Sequence, residues 1–121
     1  MVATNRRGGE LSMGAADSDF TPVELLLTAI AGCTALDVDA PTSRRAEPES
    51  FEVRVSGDKV RDETGNHMAN LRVTFHAVFP EGEAGDAARE VLPDMVARSH
   101  DRLCTVTRTV ERATPVETAI E

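Results

Sequence analysis

The run Thr21–Val38, TPVELLLTAIAGCTALDV, dictates a helix buried along one side. Thr21 is placed to cap it, and Pro22 brings the fixed φ and missing N–H that suit a first helical residue. Glu24 stands where a carboxylate reaches back to the amide of the capping residue. Beyond it Leu26, Ala29, Ile30, Cys33 and Leu36 recur at intervals of three and four, which lines them up as one apolar stripe with Cys33 upon it. Pro41 cannot donate the hydrogen bond a helix interior needs. It is expected to kink or end the helix, leaving Thr42–Ser50 as a fraying end and a loop.

The flanking segments follow other periods. Arg6-Arg7-Gly8-Gly9 lies between two short extended runs, Val2–Asn5 and Glu10–Met13, and a Gly-Gly pair in that setting reads as a hairpin turn; Gly14–Phe20 reads as a loop. Phe51, Val53 and Val55 alternate on one face of a strand, and Leu71, Val73, Phe75 and Phe79 on one face of another, with Asp62–Asn70 as the connecting turn. Ala84–Leu103 returns to helical spacing through Ala88, Val91, Leu92, Met95, Ser99 and Leu103, with Pro93 breaking or kinking it midway. Val116, Thr118 and Ile120 alternate as a short terminal strand. Between these, Cys104–Val110 is rich in β-branched residues, and propensity alone makes it a strand.

A chain of 121 residues suits one domain, residues 1–121, and with no Trp or Tyr its core has to come mostly from Val, Leu, Ala and Met. A formal net charge of −8, without any basic run interleaved with aromatics, argues against a nucleic-acid partner. No apolar stretch approaches a membrane span and MVATNRRGGELSMG has no signal-peptide core, so a cytoplasmic location is expected. In that reducing compartment a pair of cysteines has catalytic or sensing duties more often than structural ones.

Two segments carry a family resemblance. TPVELLLTAIAGCTALDV, with its Pro-x-Glu-Leu-Leu opening and Ala-Gly-Cys step, and SHDRLCTVTRTV, Ser99–Val110, followed by ATPVET, resemble the central helix and the distal cysteine segment of the OsmC/Ohr family. The resemblance implies an α+β fold in which a strongly curved antiparallel sheet wraps around the central cysteine-bearing helix. It also implies an intertwined homodimer with two sites at its interface. Cys104 would then begin a short helix, tertiary context overriding local propensity. Relatives usually carry a longer set of N-terminal strands than the residues before Thr21 allow, so this strand region is shortened, or completed by the dimer partner.

The activity implied is that of a thiol-dependent peroxidase acting on organic or lipid hydroperoxides. Cys33 attacks the peroxide and becomes a sulfenic acid, and Cys104 resolves it as a Cys33–Cys104 disulfide, which a dithiol such as a lipoyl protein reduces. No cofactor and no metal is implied. Only a thiolate attacks, and Cys33 lies about three turns into its own helix, where the dipole helps little, so a cation is required. The resemblance puts it at Arg7, with Arg6 as second choice. Where hydroperoxide reductases of the family carry a glutamate that orients this arginine, the chain has Val23; Glu24 is offset by about 100° around the helix and is left to cap it. Arg7 would then be oriented by another acid, such as Asp17 or Asp19, or not at all.

Plainer readings accompany these. A lone cysteine is most often a buried, inert thiol, and both arginines read as solvated turn residues without the cysteines. His100 lies four residues before Cys104, a spacing that brings two zinc ligands to one helix face, but three ligands with Cys33 make a weak motif and a solvated His100 is the simpler expectation. His67 and His76 show no ligand spacing. The rival reading of the whole is a non-catalytic OsmC-fold protein that senses redox state or binds a small ligand.

Overall fold

The computed structural model describes residues 1–14 and 19–121. Its elements run β1 (Val2–Thr4), β2 (Glu10–Ser12), α1 (Pro22–Ser43), β3 (Ser50–Asp62), β4 (Gly65–Val78), α2 (Glu83–Arg98), a π-helical turn at Ser99–Leu103 and α3 (Thr105–Glu111). Strands and helices mix as an α+β fold. The single curved sheet expected from the resemblance is not formed within one chain: the described strands make two separate antiparallel pairs, β1 with β2 and β3 with β4. Neither pair meets the other's edge, so any closure of a larger sheet needs strands from elsewhere.

Helix α1 starts as its sequence dictates. Thr21 Oγ1 accepts from the Glu24 amide at 3.2 Å and Glu24 Oε1 from the Thr21 amide at 2.9 Å, closing the reciprocal cap. The helix does not break at Pro41 but continues to Ser43. Pro41 falls in the last turn, with only Thr42 and Ser43 beyond it, and the buried Thr42 hydroxyl donates to the Val38 and Asp39 carbonyls there. The buried face is also turned from the expected stripe. Ile30, Ala31, Thr34, Val38 and Thr42 are inside, whereas Leu26 and Leu36 are exposed, Leu36 at 77%. Threonine can be buried here because Thr34 and Thr42 return their hydroxyls to carbonyls one turn back.

Strands β3 and β4 form one long hairpin that alternates inward and outward as far as a bulge. Phe51, Val53 and Val55 face in, as do Val73, Phe75 and Ala77 on the partner strand, and the rings of Phe51 and Phe75 stand 6.4 Å apart. The turn is far tighter than the expected Asp62–Asn70: only Glu63 and Thr64 separate the strands, with Asp62 Oδ1 accepting from the Thr64 amide and hydroxyl. Residues 65–69 pair across the hairpin instead, with Gly65, Asn66 and His67 solvent-exposed at its end. At the bulge Asn70 takes φ 53°, with its amide donating to Asp58 Oδ2.

Helix α2 packs on α1, with Ala46, Phe79 and Ala88 forming a small core against Ala77 and Leu92. Pro93 does not end it. The π turn that follows, closed by the Cys104 amide on the Ser99 carbonyl, delivers Cys104 in extended conformation as the cap of α3. Cys104 thus begins a short helix, as the resemblance implied and propensity denied. No terminal strand forms over residues 114–121, where Val116 and Ile120 are exposed. Among the described residues no helix is long and apolar enough to cross a membrane.

Candidate active site

Cys33 sits in the middle of α1, half-buried, on the side that meets α3; Cys104 is fully buried at the junction of the π turn and α3. Both are free thiols. Helix α1 packs on both the π turn and α3, and this brings the two sulfurs and an oxygen of Asp37 within 4.8 Å of one another. Asp37 lies one helical turn beyond Cys33 and accepts a hydrogen bond from the Ser99 hydroxyl at 2.8 Å.

The neighbours of each sulfur differ. Burial pushes the Cys104 thiol up, but the Thr107 hydroxyl at 3.2 Å, the Thr34 hydroxyl at 3.5 Å, the Thr107 amide at 3.3 Å and the Cys33 thiol outweigh it and bring Cys104 below the usual thiol value. At Cys33 the Val106 backbone amide pulls down, yet burial, the hydrogen bond and charge of Cys104, and the Asp37 carboxylate together hold it above that value. The surroundings thus favour a thiolate at Cys104 over one at Cys33. The opening amides of α3 thus supply polarity that the thiols do not get from α1, a source not expected from the sequence.

Of the three expected site residues, the fold brings Cys33 and Cys104 together and leaves Arg7 apart. Arg7 is exposed in the β1–β2 turn, its amide bonded to Asn5 Oδ1, and it is not among the groups that weigh on either thiol. Arg6 shares that turn. Glu24 is occupied in the helix cap and Val23 is partly exposed. Asp17 lies outside the described residues. His100 is not with the thiols: its ring nitrogens meet Asp101 at 2.9 Å and Glu111 at 2.8 Å.

Beside the pair opens a cleft of about 750 Å3, walled by Leu71, Val73 and Phe75 of β4 and by Leu92 and Val96 of α2. Thr34 and Thr107, whose hydroxyls touch the Cys104 sulfur, line it too. Its walls are apolar, with His100, Asp101 and Glu111 as the charged groups around it.

The family model for OsmC-like proteins matches residues 15–119. The chain belongs to the OsmC-like family. Uncharacterised proteins of Mycobacterium tuberculosis (strain ATCC 25618 / H37Rv) and of Mycobacterium bovis are each 30% identical to it over 118 residues, covering 95% of this chain and 83% of theirs. Among solved structures, an OsmC-like protein of unknown function from Vibrio cholerae superposes with a TM-score of 0.74 at 16% identity, over 91% of this chain and 77% of that one. A hypothetical protein from Aquifex aeolicus gives a TM-score of 0.68 at 21% identity, over 96% and 81%. These likenesses establish the fold, and the family match establishes membership.

Proposed function

We propose that this OsmC-like protein is a two-cysteine peroxidase for organic hydroperoxides, in a family that includes peroxidases. The observation that carries the reading is the reduced pair itself: two thiols from different elements, close enough to bond after a small side-chain rotation, one of them favoured as a thiolate. The apolar cleft beside them suits the carbon tail of an organic peroxide better than hydrogen peroxide.

Access gives Cys33 the attacking role, because Cys104 is wholly buried. Transfer of the Cys33 proton to the Cys104 sulfur creates the reactive form. The Cys33 thiolate attacks the terminal oxygen, the O–O bond breaks, and the alkoxide takes the proton held by Cys104. Cys33 is now a sulfenic acid and Cys104 again a thiolate, which attacks Cys33 and expels hydroxide to leave the disulfide. A dithiol such as a lipoyl protein then returns two electrons.

The same proposal includes a cytoplasmic setting and a homodimer. Leu26, Ala29 and Leu36 leave an exposed apolar line along α1, and the strands of the β1–β2 hairpin are exposed throughout; a second copy would cover the first and receive the second. Arg7 reaches a thiol, on this reading, from that second copy. A non-catalytic sensor on the same fold is the competing reading, favoured because, among the described residues, the groups that act on Cys33 are Val106, Cys104 and Asp37 and include no cation.

Stopped-flow oxidation of the reduced protein by cumene hydroperoxide and by hydrogen peroxide separates the two. The peroxidase reading expects rapid loss of both thiols with preference for the organic peroxide, an inert Cys33→Ala and a Cys104→Ala that stops at sulfenic acid. Thiols that react no faster than free cysteine would leave the sensor.

A further inference from the structure

The peroxide chemistry makes no use of Asp37, yet its carboxylate completes a set of three metal-ligating groups. The Cys33 sulfur, the Cys104 sulfur and an Asp37 oxygen all lie within 4.8 Å of one another. Around a tetrahedral zinc ion, with sulfur at about 2.3 Å and oxygen at about 2.1 Å, ligand atoms stand roughly 3.6–3.8 Å apart. The three groups therefore have to close by no more than about an ångström each. Cys33 and Asp37 are one turn apart on α1, so they present to the same side; Cys104 arrives from the residue that caps α3.

The surroundings are those of a supported ligand set. The Ser99 hydroxyl donates to Asp37 Oδ2, and the Thr34 hydroxyl and the Thr107 backbone amide donate to the Cys104 sulfur, outer bonds of the kind that orient metal ligands. The helical spacing of His100 and Cys104 does not produce this site, because both His100 nitrogens are engaged by carboxylates.

We propose that the reduced protein binds one zinc-class cation through Cys33, Cys104 and Asp37, with water as fourth ligand. Two thiolates select borderline and soft divalent ions over magnesium and calcium. Metal displaces the thiol protons and occupies the sulfur lone pairs, so bound ion and disulfide exclude each other. The site depends on the geometry of the three groups and stands whether or not the thiols reduce peroxides.

The test is titration of the reduced, metal-free full chain with Zn2+ against a chromophoric chelator, and with Cd2+ followed by thiolate-to-metal ultraviolet absorption, which the absence of Trp and Tyr leaves unobscured. One equivalent per chain is expected, with proton release, and none in the disulfide form or in Cys33→Ser. Asp37→Asn is expected to bind at least tenfold more weakly with an unchanged circular dichroism spectrum. Ser99→Ala, which keeps all three ligands, should lose about tenfold. Absent stoichiometric binding, equal binding by the oxidised protein, or full affinity in both variants would overturn the site. Failure of peroxide reduction leaves this titration untouched, since it reads binding alone.

Discussion

At Cys33 and Cys104 two sulfurs share one site, and the surrounding groups pull Cys104 down while holding Cys33 up. The reduced pair is expected to titrate in two steps that belong to the pair, the first below the usual thiol value and the second above it. Asp37→Asn removes a negative charge beside Cys33, so the second step should move down and alkylation of Cys33 near neutral pH should quicken several-fold. Ultraviolet thiolate absorbance and mass spectrometry of iodoacetamide adducts read both effects; an unmoved second step would mean the carboxylate does not act on Cys33. The two cysteines were legible in the sequence through their flanking motifs. Asp37 was not, although its spacing of four from Cys33 was there to see, because an acid on a helix usually faces water. The roles of Ser99 and Thr34 were not legible, because they come from contacts between segments 62 and 70 positions apart in the chain.

Helix α1 was legible at its start because the capping residues act locally, and that cap offers a simple check. Thr21→Ala leaves the Glu24 amide unpaired and should cost about 1 kcal/mol in urea unfolding. Its buried face was misjudged because periodicity identifies an apolar line without saying what covers it. Of the expected line Ile30 is buried, but Leu26 and Leu36 are exposed, and Thr34 and Val38 are inside beside Ile30. Around α3, local propensity pointed the wrong way: the π turn and the Cys104 cap overrule five β-branched residues. His100 ties these elements together, because Asp101 first and then Glu111 raise its pKa above the ordinary histidine value. Its bridge is complete below the unfolded histidine value and is lost as pH rises through the raised one. Amide exchange in α3, corrected for the intrinsic pH dependence and compared with α1, should therefore accelerate over that window, and His100→Ala should remove the extra pH dependence.

On the scale of the whole chain, mixed α and β structure and the meeting of two distant cysteine segments were legible, whereas the sheet was not, since strand pairing is decided by which edges come together. Two hairpins without a shared edge, and an exposed apolar line on α1, motivate the proposed homodimer. Sedimentation should find a dimer, and Leu36→Glu, which places a charge on that line without touching a thiol, should give monomer at concentrations where the wild type is paired. Oxidation has a consequence on this scale too. A bond between the thiols would close a loop of about 70 residues and, on chain entropy, stabilise the fold by about 4 kcal/mol. Each turnover would then tighten the molecule and each reduction slacken it, so that its melting temperature keeps a record of the last oxidant it met.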